Sequence, residues 1–377
     1  SDINGCDAWV NYQVGQEYSL NWIEELLYYD YMKSIGQGKP IFNSENHIIP
    51  DNIDTDHPYE YIRTCLWEQA IHGQGAQTIW VWARNEADGA VAKNICTRAN
   101  STEGACHAAI ELDRMADYLA AAVNIKLPVA IMVSQASTIL APSHPGKVFA
   151  LYELLSFLNS PIRFVTEKQV LGGQLKEIKL LIVPEVEYLP ENVYKQITDY
   201  LATGGTAVLL GNSFSKTEHG AERKKDALLS LLDTAIKNSK TNYKSGGFYR
   251  IELAKSKQAS AEMLDMIISA TGIVRPVRVY TNDNKIGWGI ATRYFTYNQK
   301  KYLYLNNYGR QAAGIQIKDA QGQPVNISND LITNNPIYKS ITLEHLNDEG
   351  QDTGALMTGR ALIIDPLVPH LVEIIAK

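Results

Sequence analysis

Short apolar runs and amphipathic stretches alternate along the first third of the chain. Cys6–Gln13 has the pattern of a strand. Leu20–Ile35 carries helical periodicity and stops at Gly36 and Gly38. Pro40–Glu45 is a second strand, and Pro58–His72 a second helix closed by Gly73 and Gly75. A third strand is expected over Thr78–Ala83 and a third helix over His107–Val123. Strand starts recur roughly every 35 residues, the pitch of βα units in a parallel sheet or barrel.

The texture changes further on. Val129–Val133, Ile162–Val165, Leu180–Val183 and Ala207–Leu210 are nearly continuous apolar runs, as in a parallel sheet covered on both faces. Helices over Lys147–Leu158 and Val193–Ala202 fall between them, the latter ended by Gly204 and Gly205. This is the pattern of a doubly wound α/β domain. The polar segment Lys216–Asp226 reads as a surface loop. Beyond about residue 276 helical periodicity fades. Gly289–Tyr297, Lys301–Asn306, Ala361–Ile364 and Leu371–Ile375 read as strands, with a hairpin turn at Asn298-Gln299. The expected fold class is therefore α/β multidomain, with units over 1–126, 127–275 and 276–377, the last a small β-sandwich. No internal repeat or long low-complexity segment interrupts this order.

Composition narrows the function. Of 377 residues, 45% are hydrophobic and 20% charged, which suits a folded globular chain. The net charge of −6 disfavours nucleic acid or an acidic membrane surface as the main partner. No apolar run reaches the roughly 18 residues needed to span a bilayer. Ser1–Asp7 shows no charged region followed by an apolar stretch, so no signal peptide is visible. The 21 Tyr and 6 Trp supply flat faces of the kind sugar clefts use, and cores use them too. The four cysteines fit no zinc spacing. Cys96 and Cys106 bracket the polar segment Thr97–Ala105. A disulfide there would favour an exported protein, periplasmic or extracellular. The alternative is two free thiols in a loop.

Candidate chemistry concentrates at the ends of the first three strands. Strict alternation puts Ile41, Asn43 and Glu45 on one face, so Glu45 ends its strand with the carboxylate on the side of Asn43. In a βα barrel the carboxyl ends of the strands form the active site. The preceding strand ends in Trp9-Val10-Asn11-Tyr12. The following one reads Thr78-Ile79-Trp80-Val81-Trp82, with both tryptophans on one face. Asn46, His47, Arg84, Asn85 and Glu86 follow the strand ends and are candidates for sugar hydroxyls. Asn46 and His47 are favoured because they adjoin Glu45. Asp51, Asp54, Asp56 and His57 read as a solvated loop, and no metal or other cofactor is expected.

Three successive strand ends bearing Tyr, Glu and Trp resemble those of clan A glycoside hydrolases, within them the family 42 β-galactosidase-like enzymes. The resemblance implies that Glu45 is the nucleophile, that Tyr12 hydrogen-bonds and orients it, and that Trp82, less surely Trp80, is the platform under the sugar. Asn11 and Arg84 would then lie among the substrate contacts. It further implies the C-terminal part of a (β/α)8 barrel, about strands six to eight, then a flavodoxin-like or amidotransferase-like α/β domain, then the β-sandwich. The α/β domain in that family commonly mediates trimerisation, so a homo-oligomer is expected. It has no cysteine for amidotransferase chemistry, and no GxGxxG follows Val129–Ser134.

Retaining hydrolysis needs a second carboxyl group about 5–5.5 Å from the nucleophile. In the family it ends strand four, after an asparagine. Glu17, Glu24 and Glu25 fit a loop and a helix instead. The reading is that the acid/base lies outside this chain, in an N-terminal remainder of the barrel on the same or another polypeptide. Three functions stay open: a retaining exo-glycosidase on β-galactosides, another clan A polysaccharide hydrolase (agarase-like or mannosidase-like), or a non-catalytic carbohydrate-binding protein on a hydrolase scaffold.

Overall fold

The computed structural model describes residues 2–7, 16–48, 55–80, 98–346 and 352–375, with backbone alone over 339–360. It begins with three parallel strands, β1 (Asn4–Cys6), β2 (Ile41–Asn46) and β3 (Gln74–Ile79), in that spatial order. Helices α1 (Trp22–Ile35) and α2 (Tyr59–Ile71) connect them. The register places β3 four residues before the expected start, because the chain passes straight through Gly75 instead of turning there. Tyr61 to Ile71 of α2 are all buried, Arg63, Glu68 and Gln69 included. A helix buried all round must pair its polar groups internally, and those pairs recur below.

Helices α3 (Ala99–Arg114) and α4 (Ala116–Val123) follow, divided at Met115. The sequence had suggested one helix from His107. The earlier start has a local cause. Both Asp56 carboxylate oxygens accept 2.9 Å hydrogen bonds from the backbone N–H groups of Asn100 and Ser101, satisfying free donors at the helix start. Asp56 is therefore an exposed loop residue that also caps α3, as the loop reading allows, whereas His57 is buried with its ring 4.9 Å from that of Tyr61. Asp51 and Asp54 lie outside the described residues. Gly104 lets α3 cross α2 closely: a Cβ there would stand 2.8 Å from the Tyr59 carbonyl oxygen. Cys106 is an exposed free thiol on α3, and Cys96 lies outside the described residues.

The second sheet has six strands: β4 (Val129–Val133), β5 (Ile162–Thr166), β6 (Leu180–Val183), β7 (Thr206–Leu210), β8 (Lys240–Tyr243) and β9 (Gly246–Ile251). Their order is β5-β4-β6-β7-β9-β8, all parallel except the antiparallel edge strand β8. Helices α5 (Gln135–Leu140), α6 (Ser143–Ser156), α7 (Glu167–Leu171), α8 (Glu191–Ala202), α9 (Ala227–Thr234) and α10 (Lys257–Ala270) surround it. Two separate apolar clusters divide its side chains by parity. Val129 and Ile131 fall in one, Ala130 and Met132 in the other, as expected of a sheet covered on both faces. The expected loop over 216–226 is pinned by buried Arg223, whose guanidinium reaches the Phe214, Leu189 and Lys216 carbonyls and Glu191.

The remaining strands are β10 (Val277–Thr281), β11 (Ile290–Tyr297), β12 (Lys300–Asn307), β13 (Ala313–Asp319), β14 (Asn326–Ile327), β15 (Tyr338–Leu346), β16 (Asp352–Ile364) and β17 (His370–Ile375). They make two four-stranded antiparallel sheets, β10-β13-β16-β15 and β11-β12-β17-β14. Apolar residues of both share one cluster, so the sheets pack in the manner of a sandwich. The β11–β12 turn is at Asn298-Gln299, both with positive φ.

Buried charge joins the three units. Asp30 of α1 receives the Tyr152 hydroxyl of α6 at 2.8 Å, lies 3.0 Å from His72, and lies 3.8 Å from Arg293 of β11. Glu68 of α2 accepts from Tyr304, Asn306 and Tyr308.

Candidate active site

Strand β2 carries the site, and its neighbours shape it from below. Asn43 is fully buried and donates to the Tyr29 hydroxyl at 2.8 Å, which also receives Gln74 at 3.0 Å. The β2–β3 register then shifts between Asn43 and Asn46. The extra residue on β2 is a bulge, which breaks alternation and re-aims the side chains. Asn43 and Asn46 are both fully buried, while the Glu45 side chain is 47% exposed. Glu45 thus does not share the buried side with Asn43, as strict alternation had suggested. Its backbone N–H instead binds the Asn43 side-chain oxygen at 3.2 Å.

Asn46 corrects a second expectation. Its amide and that of Gln69 from α2 form a reciprocal pair, at 2.6 and 3.0 Å. Asn46 donates again to Gln77 of β3, and Gln69 to Glu25 of α1. With its donors committed below the sheet, Asn46 has none for a sugar hydroxyl and acts as a strut for the strand end. Burial, opposed by the Gln69 hydrogen bond and helped by the charge of Glu68, pushes the Glu25 carboxyl up to about 8. Neither Gln69 nor Gln77 was singled out from sequence.

Past the strand ends Asp7, Glu45 and Trp80 are partly exposed, while His47 is largely buried. The His47 imidazole lies 3.6 Å from Glu45 and 3.6 Å from Asp7, which follows β1. The Trp80 ring, 38% exposed, is 5.7 Å from that of His47, and its backbone N–H binds the Asn46 carbonyl at 3.1 Å. A carboxylate, an imidazole and an indole therefore meet at the carboxyl end of three parallel strands. Among the described residues, donor atoms of Asp7, Glu45 and His47 lie within 4.8 Å of one another, a spacing that suits proton exchange or a cation. Asp7 was not foreseen. Asn11, Tyr12, Trp82, Arg84, Asn85 and Glu86 lie outside the described residues. Glu17 accepts from Trp288 and Lys257 at 2.9 and 2.8 Å, and it lies outside any helix or strand, in agreement with its reading as a loop residue.

Among the described residues, Gly5, Ser44, Ala76 and Thr78 of the three-stranded sheet are exposed. A parallel sheet is normally buried on both sides. No helix among the described residues is long and apolar enough to cross a membrane.

No family profile matches the chain, and no curated relative does. Solved structures do. The family 42 exo-carrageenase of Bacteroides ovatus superposes with a TM-score of 0.73 at 22% identity, covering 100% of this chain and 48% of that one. A catalytic mutant of a family 42 β-galactosidase from G. stearothermophilus gives 0.69 at 13%, covering 99% and 59%. The β-galactosidase of Rahnella sp. R3 gives 0.69 at 14%, covering 99% and 60%. The chain spans only about half to three-fifths of the length of these proteins. It has an α/β multidomain fold, with sandwich-like sheets, that resembles that of family 42 glycoside hydrolases.

Proposed function

We propose that this chain is the nucleophile-bearing part of a retaining glycoside hydrolase for β-linked galactosides or related sugars. The observation that carries the reading is the half-exposed Glu45 carboxylate at the carboxyl end of the central parallel strand, with His47 and Trp80 beside it. Glu45 attacks the anomeric carbon and forms a glycosyl-enzyme ester, and the leaving oxygen takes a proton from an acid/base carboxyl group. That group belongs to the remainder of a (β/α)8 barrel, on the same or a separate polypeptide, whose strands would cover the open face bearing Ser44 and Thr78. Tyr12 hydrogen-bonds the nucleophile, and Trp80 and Trp82 stack under the sugar, with Asn11, Arg84 and His47 as polar contacts. The doubly wound unit is flavodoxin-like in strand order and serves assembly, with a trimer as the expected oligomer.

Among polymers, a sulfated or plain galactan is favoured over a simple galactoside. The exo-carrageenase fits with higher identity and TM-score than the two β-galactosidases. The test is Glu45→Gln in the assembled enzyme, assayed on aryl glycosides and galactan oligosaccharides. The rate should fall by roughly 10³-fold or more with the fold intact. An unchanged rate removes Glu45 from the mechanism.

A further inference from the structure

Asp7, Glu45 and His47 come from two neighbouring parallel strands. β1 and β2 pair with Cys6 opposite Asn43, so Asp7, just past β1, is carried to the same end of the sheet as the last residues of β2. Both carboxylates meet a single atom. His47 Nε2 stands 3.6 Å from Asp7 Oδ1 and 3.6 Å from Glu45 Oε2, and donor atoms of all three residues lie within 4.8 Å of one another. The imidazole is 14% exposed and packs by the Trp80 ring, with 5.7 Å between ring centres. The Asp7 and Glu45 side chains are 59% and 47% exposed. A held imidazole thus meets two carboxylates that solvent, and a solute, can reach.

The spacing separates two uses of such a trio. A charge-assisted hydrogen bond from imidazole to carboxylate brings nitrogen and oxygen to about 2.7–2.9 Å, and Nε2 has one proton to give. Here it is equally distant from two carboxylates and too far from either for a hydrogen bond. A four-coordinate zinc ion with ligands at about 2.0–2.2 Å sets neighbouring donor atoms about 3.3–3.6 Å apart. Both separations from Nε2 match that edge. Rotation of one exposed carboxylate brings the third edge, within 4.8 Å, toward the same length. The donor types agree. An imidazole nitrogen favours transition cations over magnesium or calcium, and two carboxylates offset a double positive charge.

We infer that Asp7, Glu45 and His47 bind a divalent transition cation, zinc or an ion like it, with the fourth position open to solvent. Binding itself does not depend on what Glu45 does in catalysis. One consequence does rest on the proposed function. The ion holds the carboxylate lone pair that attacks the anomeric carbon, so ion and substrate exclude each other and the ion acts as a reversible inhibitor.

The test is calorimetric titration of the full chain with zinc chloride, paired with the visible absorption of the cobalt(II) complex, which is strong only at low coordination number. Cys106→Ser serves as the background, because the exposed thiol also takes zinc. This parent should bind one ion saturably, with a rise in unfolding midpoint. Asp7→Asn and His47→Gln should each weaken binding by about tenfold or more, since even the outer partners of metal ligands are worth that much. Asp7 is exposed, so Asp7→Asn keeps the test valid should His47→Gln unfold. Magnesium and calcium chloride in excess should not displace zinc. No saturable binding, unchanged binding in both variants, or ready displacement by magnesium would overturn the site. Inhibition is read separately, on aryl glycosides with the assembled enzyme. Zinc bound without loss of turnover would support the site and count against Glu45 as nucleophile. Turnover that needs Glu45 in a chain that binds no zinc would overturn the site and leave the proposed function standing.

Discussion

At the scale of single residues, the end of β2 is organised by polar side chains packed beneath it. Glu25, Gln69, Asn46 and Gln77 form one hydrogen-bonded series beneath Glu45. Its terminus is sensitive to pH. The folded state holds the Glu25 proton up to about 8, against an ordinary value of 4.5. The folded state therefore binds more protons than the unfolded state between those values, and stability falls as pH rises through the window. Below 4.5 the effect vanishes, and above 8 the loss is complete. Unfolding midpoints measured from pH 4 to 9 should decline more steeply in wild type than in Glu25→Gln, by at most about 1.4 kcal/mol per pH unit. Parallel curves would show that Glu25 ionises freely. Asp30 behaves oppositely: against the upward pull of burial, His72, Arg293 and Lys33 hold its carboxyl below the ordinary range.

At the scale of elements, local chemistry decided more than periodicity. Four of the six strands of the second sheet, β4 to β7, were legible because both faces are covered, so an unbroken apolar run has one meaning there; β8 and β9, short and rich in polar residues and glycine, were not. The bulge in β2 was not legible, since nothing in Asn43-Ser44-Glu45 distinguishes a regular strand from an interrupted one. Nor was the start of α3, because its cap comes from Asp56, more than 40 residues earlier. The Asn298-Gln299 turn was read from its flanking strands, and its backbone suggests an improvement. Gln299 has φ of 65°, a region costly for a residue with a Cβ. Gln299→Gly should raise stability by roughly 0.5–1 kcal/mol, since Asn-Gly is the preferred pair for such a hairpin. Denaturant unfolding would show it as a higher midpoint with unchanged slope.

At the scale of the whole molecule, the three sheet units are held by shared charge as well as apolar contact. Asp30 joins α1 to α6, His72 and β11. Asp30→Ala should cost roughly 3 kcal/mol or more, because it leaves Arg293 without its carboxylate and the Tyr152 hydroxyl without an acceptor. A variant as stable as the wild type in thermal unfolding would show that solvent compensates these groups. The open face of the first sheet is the counterpart of these closed seams. The proposed remainder of the barrel would pack on this face, where Gly5, Ser44, Ala76 and Thr78 are exposed.

What the sequence alone determined is what depends on near neighbours: the parallel strands β4 to β7 of the middle unit, the β11–β12 hairpin, the succession of textures along the chain, and Glu45 near a strand end. Each follows from periodicity or turn chemistry within a few residues. Only the tertiary structure decided which way Glu45 and Asn46 face, and that Asp7 and His47 join Glu45. Those outcomes depend on register, on a bulge and on groups brought together from distant parts of the chain. A one-residue shift in pairing reverses the face of a side chain without changing the hydrophobic pattern that announces the strand.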